Sequence, residues 1–436
     1  MSDLGIVLRS LRRHAFSTTV TAALVAVSVA ILLVLLSLRS AAQSSFRRGT
    51  GNMHLLLGAD ASPLVTVLNG VFYANPPQQP IPWAKYQQIR GSFPWEWAVP
   101  TQIGDTYRGA PVVATTPDFF SRFEPVRGQP WRFAAGGAFD ASFEVVAGAK
   151  AAADHGLSIG DRLALTHGAW TGPGGHEHAN HLYEVVGILE PTGSAHDRAL
   201  FTDLDSSWIL HAEDRHEREE GATDHAEGDG HADHDHHEHL SAADLTDEDR
   251  LITNILLRLP TRPGKDASAA LQSQFDALRR DTAISVAMPA DQIDKLFRII
   301  GDIDALFVAM GVAVLASSGV AILLALYNSM ELRRRQVAVF RALGASRNRV
   351  FMLVLTESAL IGVLGAVGGV GLSLIAGLAA SAELRARVGL VIDAGLDARS
   401  TVLVAAGAVA LAALAGIAPA ILAYRTPVAE HLKPVA

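Results

Sequence analysis

The sequence predicts a membrane protein of four transmembrane α-helices, with a large extracytoplasmic α+β domain inserted between the first two. Three observations predict it. Four apolar stretches reach the roughly 20 residues that a helix needs to cross a hydrocarbon core of about 30 Å. Lys and Arg gather beside alternate ends of those stretches. Between the first and second stretch the pattern changes to short apolar, partly β-branched runs broken by Pro and Gly.

The first span is expected over residues 17–38, which hold no charge and follow Arg9, Arg12 and Arg13. The competing reading is a cleaved signal peptide ending near Ser40, Ala41 and Ala42. The uncharged run exceeds the usual 7 to 15 residues of a signal core, which favours a retained helix. The second span is expected over 305–330, the third over 350–382 and the fourth over 401–424. Glu357 is the one charged residue in the third, and an ionisable group inside a membrane is a functional candidate by default. Small residues dominate that span. Gly365 and Gly369 have the small-xxx-small spacing that lets backbones approach closely, either between chains or inside one bundle.

Orientation follows from flanking positive charge. The segments 1–16, 331–349 and 425–436 carry an excess of basic residues, while the loop from Glu383 to Arg399 balances three acids against three arginines, so the termini and the connection between spans two and three are expected in the cytoplasm. Residues 39–304 and the 383–400 loop are then expected outside. A multi-pass protein of the bacterial inner membrane is the economical account.

Composition agrees. The apolar share is 49% and the charged share 18%, below the roughly 25% of soluble domains. A net charge of −8 lacks the basic face that nucleic acid requires. With no cysteine, neither disulfides nor thiolate metal sites are available. No GxxxxGK[ST] phosphate loop and no nucleophile–base pattern stands out. The chain is expected to be non-catalytic and to need no cofactor of its own.

Within the inserted domain, strands are expected at 53–57, 112–115, 143–147, 163–166, 183–189, 254–259 and 283–287, with helices at 62–72 and 267–280. The first and last portions are expected to form one lobe and the middle another. Fourteen of the seventeen histidines fall between His155 and His239. Eight of them, His211, His216, His225, His231, His234, His236, His237 and His239, lie in an acidic tract almost devoid of large apolar residues. Such a tract cannot bury a core and is expected to be a loop over 211–239. Imidazole suits zinc, copper and nickel, so capture of divalent metal, zinc foremost, is one reading. His176, His178 and His181 extend the candidate set. A solvated acidic insertion with no specific ligand is the other reading. His54, His155, His167 and His196 are expected to be structural or surface residues.

The run ELRRRQVAVFRALGASRNRVFMLVLTESALIGVLGAVGGVG, from Glu331 to Gly371, resembles the FtsX-like permease domain of MacB-type ABC transporters. The closing APAILAYRTPVAEHL resembles that family's end. VVAGAKAAADHGLSIGDRLAL and YEVVGILEPTGSAHDRALFTDLDSSW resemble its periplasmic core domain. The resemblance implies a permease homodimer in membrane lipid, bound to two copies of an ABC ATPase subunit that binds the ATP. Hydrolysis there would drive the outside domain to extract or export a lipoprotein, peptide or hydrophobic molecule. Under the same resemblance Arg333, Arg334, Arg335, Arg341, Arg347 and Arg349 couple to the ATPase, with Gly344 stopping a helix to leave a docking finger. Two alternatives stand beside it: a non-transporting mechanotransmission subunit tied to a periplasmic zinc protein, and a direct zinc transporter.

Overall fold

A computed structural model describes residues 3–77, 79–167, 176–224, 240–388 and 397–425. The chain divides into two compact units: Met1–Ala42 with Ile300–Ala386 and Ile392–Ala436, and Gln43–Ile299 with Arg387–Val391.

Helix α1 (Asp3–Arg13) is amphipathic, with Val7 and Leu11 buried one turn apart and Leu4 and Leu8 exposed. Asp3 in its first turn and Arg12 and Arg13 in its last suit the helix dipole. Helix α2 (Ala15–Gly49) outruns the expected first span at its C-terminal end, because nothing between Arg39 and Arg48 breaks a helix.

The domain then opens with β1 (Leu55–Gly58) and α3 (Pro63–Gly70). Ser62 Oγ accepts from the Val65 amide at 3.3 Å, and Pro63 fills the first helical turn, where its missing N–H costs nothing. Next come β2 (Ile81–Pro82), α4 (Trp83–Ser92), β3 (Trp97–Tyr107), β4 (Ala110–Thr115), α5 (Asp118–Ser121) and β5 (Phe133–Gly136). They are followed by β6 (Glu144–Ala147), α6 (Ala149–His155), β7 (Arg162–His167), β8 (His176–Leu189), a 3-10 turn (Ala195–Arg198) and β9 (Leu200–Asp203). Helix α7 (Leu204–Asp224), β10 (Leu251–Ile252), β11 (Asn254–Arg258), α8 (Leu271–Leu278) and β12 (Ser285–Ala287) complete it.

Ten strands form one mixed sheet among the described residues, in the order β12-β1-β11-β3-β4-β9-β6-β8-β5, with β7 pairing both β3 and β8. The pairings β3–β4–β9–β6–β8–β7–β3 therefore close a circuit, and closure removes open edges. Val112, Val145, Leu163, Leu165, Tyr183, Val185 and Leu200 from its strands form one buried apolar cluster with Ala151 of α6. The first and last portions of the domain do pair, through β1 between β12 and β11. They share β3 with the circuit, however, so the two expected lobes are joined by one sheet. β3, the longest strand of that seam at 11 residues, was not expected, because Pro100 and Gly104 interrupt its apolar alternation.

The expected loop at 211–239 needs correction at its start. His211 and His216 stand on α7, a 21-residue helix. Its first half is apolar and docks by Trp208, Ile209 and Leu210, all buried. The Trp208 indole meets Trp83 edge-on at 5.0 Å and donates to the Leu251 carbonyl at 2.6 Å. Ala, Glu and Arg then continue the helix at little cost.

His196 sits in a cage of Phe119, Phe123, Trp131 and Phe201, 2% exposed. The Tyr73 hydroxyl donates to Nδ1 at 2.6 Å, and Nε2 faces the Gly49 carbonyl at 3.3 Å. Burial of the ring lowers its pKa to about 4, so it is a neutral structural histidine, as is the buried His54.

The membrane-type unit is completed by α9 (Pro289–Ala342), α10 (Arg347–Val388), α11 (Ala398–Ala415) and α12 (Ile417–Arg425). Four segments are long and apolar enough to cross a membrane: Ala15–Gly49, Ala305–Met330, Arg347–Glu383 and Ala398–Arg425. The expected 331–349 loop is corrected to helix as far as Ala342, since residues 331–342 contain no Gly or Pro. The expected fourth span is split at Gly416. Pro419 lacks an N–H and its ring collides with the carbonyl of Ala415.

Gly365 and Gly369 serve packing inside the chain. A Cβ at Gly365 would lie 2.5 Å from Val25 Cβ, and one at Gly369 would lie 2.6 Å from Val29 Cβ and 2.7 Å from the Ala26 carbonyl. Ser28 Oγ and Ser318 Oγ add a buried 2.6 Å hydrogen bond between α2 and α9.

Gly369→Val is expected to destabilise the bundle by about 1–3 kcal/mol through overpacking, seen as a lower thermal unfolding midpoint in detergent. Gly371→Val, with nothing within 4 Å of the added carbon, should leave the midpoint in place. Because the folded pKa of His196 lies below the unfolded value near 6.5, protonation favours unfolding. Its stabilisation is full above about pH 6.5 and is lost as pH falls to about 4, by about 3 kcal/mol at most. Urea unfolding of the full chain across that window, with His196→Gln flattening the slope, checks it.

Candidate functional site

Two places draw the sequence candidates together, one in each unit. In the membrane-type unit it is the turn between α9 and α10. Gly344 has φ +99°, a conformation that a side chain disfavours. The Ala345 amide bonds the Phe340 carbonyl at 3.1 Å and the Gly344 amide bonds the Arg341 carbonyl at 3.1 Å. This pair of bonds is a Schellman cap, which ends α9 sharply. Ser346 Oγ then accepts from the Arg349 amide at 3.3 Å and opens α10. The connection is thus two helix caps placed back to back.

Arg341 stands on the last turn of α9, and Arg347 and Arg349 on the first turn of α10, both exposed. Arginine at a helix start opposes the dipole, and each is offset by a neighbour. Arg349 pairs with Asp3 of α1 at 2.6 Å, and Arg347 lies over the Tyr424 ring at 5.9 Å. Arg333, Arg334 and Arg335 lie on α9, and their side chains are outside the described residues. The residue that sequence reasoning missed is Leu343, 83% exposed at the tip of the turn. Its position one residue before the glycine was the available signal.

Glu357, 8% exposed on α10, accepts from Ser10 Oγ of α1 at 2.9 Å. Both line a cavity of about 140 Å³ whose walls include Val7, Met330, Phe340 and Leu353. Asp3 and Ser10 therefore fasten α1 along the start of α10.

In the other unit the histidine candidates meet the sheet. His181 on β8 stacks on Phe143 at 4.7 Å with the planes 7° apart, and its Nε2 lies 2.6 Å from Glu213 Oε2 on α7. Glu213 Oε1 accepts from the Leu240 amide at 3.0 Å. One carboxylate thus fastens β8, α7 and the chain just beyond residue 239. His211 Nε2 lies 3.4 Å from Asp105 Oδ2 of β3. Arg215 meets Asp249 at 2.5 Å. His216 is on α7, and His176 and His178 are on β8 with side chains outside the described residues. His225, His231, His234, His236, His237 and His239 lie outside the described residues. Among those described, no group of three or more His, Asp or Glu is set to hold a metal.

A family model of the MacB-like periplasmic core domain matches residues 18–277, and one of the FtsX-like permease C-terminal matches 308–428. The chain belongs to the MacB/FtsX permease family. This permease is a transmembrane component of the ABC-transporter type, which agrees with the four apolar helices and the inserted α/β domain. No curated protein matches it. The crystal structure of the extracellular domain of the noncanonic ABC-type transporter YknZ from Gram-positive bacteria aligns over 53% of the permease and 98% of that chain. Identity is 10% and the TM-score 0.28, too distant a likeness to bear an argument.

Replacing Glu213 by Ala in the permease removes acceptors from His181 and from the Leu240 amide. The expected cost is about 1–3 kcal/mol, with faster amide hydrogen exchange at Leu240 and along the second half of α7. Exchange unchanged at Leu240 would remove Glu213 from this role.

Proposed function

We propose that this permease couples ATP hydrolysis by a separate ATPase to rearrangement of its inserted domain, acting on an envelope lipoprotein, peptide or hydrophobic molecule. In this reading two permease chains sit in the inner membrane with two ATPase copies on the cytoplasmic face. The positive flanks then face the cytoplasm and residues 43–299 the outside. ATP and its chemistry belong to the partner, and the permease supplies the docking turn and the moving domain.

The observation that supports the reading is the α9–α10 turn. A Schellman-capped glycine holds Leu343 outward at 83% exposure, between Arg341 and the Arg347–Arg349 pair. An apolar anchor ringed by positive charge suits a partner groove that is apolar at its base and acidic at its rim. Capping at both sides makes the turn stiff, so force applied to it reaches α9 and α10 rather than being absorbed locally. The Asp3–Arg349 and Ser10–Glu357 contacts add α1 to the same unit.

The test is reconstitution of the permease with its ATPase. Leu343→Ala is expected to weaken association about tenfold and lower stimulated hydrolysis, with the permease's own unfolding midpoint unchanged. Gly344→Val should uncouple hydrolysis while costing about 1 kcal/mol of turn strain. Full stimulation in both variants would overturn the docking role.

A further inference from the structure

Phe119 and Phe123 of the inserted domain, four residues apart, are buried in its aromatic core and anchor α5 there. The Arg122 amide donates to the Asp118 carbonyl at 2.8 Å, so Asp118 and Arg122 stand one helical turn apart. They precede the two phenylalanines and share the adjoining exposed face. Asn52 fixes the chain behind them, its Nδ2 donating to the Arg122 carbonyl at 3.2 Å and its Oδ1 accepting from the Glu124 amide at 3.0 Å. Asp118 and Arg122 line a cleft of about 290 Å³ together with Arg90 of α4, Phe93, Trp95 and Glu96. The segment 93–96 is held as firmly. Trp95 Nε1 donates to the Ile89 carbonyl at 2.9 Å, and the indole meets Phe93 edge-on at 4.9 Å. Glu96 accepts from Arg258 Nε at 3.2 Å.

Charges of both signs line this cleft without neutralising each other. Among the described residues Arg90, Arg122 and Asp118 have no ion-pair partner, although Asp118 and Arg122 are one turn apart. Arg90 and Asp118 also converge on one point, the buried Tyr86 hydroxyl. Burial raises the pKa of that hydroxyl, Arg90 lowers it by charge and by a hydrogen bond, and Asp118 raises it. We propose that the cleft binds a small zwitterion, an α-amino acid or a short peptide, with its carboxylate on Arg90 and Arg122 and its ammonium on Asp118 and Glu96. A guanidinium fork matches a carboxylate in plane, and an ammonium offers three donors to carboxylate acceptors. Trp95 and Phe93 supply a fixed apolar wall for the ligand's own side chain. A volume of about 290 Å³ lies at the small end of ligand sites. Each ion pair at a hydrated rim is weak alone, so recognition depends on one ligand meeting both signs. A ligand of a single sign leaves the opposite set unmatched, which gives selectivity. The proposal stands apart from the coupling reading, since binding is measured without an ATPase.

The experiment is calorimetric titration of full-length permease in detergent with L-alanine and with L-alanyl-L-alanine, each also as its N-acetyl and its amide form. Saturable binding of either free ligand below about 10 mM is expected, and the tighter of the two assigns the amino acid or the peptide. Blocking either terminus should weaken binding at least about tenfold. Arg122→Gln should weaken the free ligand about tenfold and add no further loss to the amide form. Asp118→Asn should do the same with the N-acetyl form. Both residues are exposed, so an unchanged unfolding midpoint separates lost binding from lost folding. Absence of saturable heat from both free ligands would overturn the proposal. So would blocked forms that bind within about twofold of the free ones, or tighter binding of O-phosphoethanolamine than of either.

Discussion

Inside hydrocarbon every backbone amide must find its acceptor within its own helix, and apolar side chains gain nothing by leaving lipid for one another. Helices in that setting are held by close approach and by a few polar contacts. In this permease the constraint falls on Gly365 and Gly369, which meet Val25 and Val29 one turn apart along α2. Their missing side chains let α10 reach the backbone of α2, including the Ala26 carbonyl. The Ser28–Ser318 hydrogen bond ties α9 to the same helix. With α2 as the common partner, the start of α10 is placed where Asp3 and Ser10 can reach it.

The inserted domain answers a different constraint, the need to keep open strand edges few, which leaves β12 and β5 at the two ends of the sheet. It does so by bending six strands into a closed circuit and extending β3 outward to pair with β11. α7 lies across this sheet by Trp208, Ile209 and Leu210, and a short set of polar contacts holds its middle. Glu213 and Asp105 receive histidines there, and Asp249 receives Arg215. Asp105 and Asp249 are buried, so these contacts supply the partners that a carboxylate out of water requires.

Both candidate sites use the same device: a rigid element ends sharply and presents a small number of reactive or charged groups. At the α9–α10 turn this is a Schellman cap with an exposed leucine. On α7 it is Glu213, held between His181 and the Leu240 amide.

The spans, their number and the glycine spacing were legible in the sequence, because hydropathy over about 20 residues reports directly on transfer into lipid. Ser62–Pro63 and Gly344 were legible too, since cap chemistry is local. The start of the acidic tract was misread, because the apolar docking of residues 204–212 overrides the polarity of residues 213–224. The α9 extension to Ala342 was missed for a related reason: charge marks where a helix leaves lipid, not where it ends. Local sequence thus determined which segments are helices for lipid and where a glycine must turn the chain. Tertiary structure alone decided that the glycines face α2, that Leu343 stands exposed, and that α7 meets the sheet through Glu213 with His181 and His211 with Asp105. Those outcomes depend on strand register and helix rotation, which are set by contacts between residues far apart in the chain.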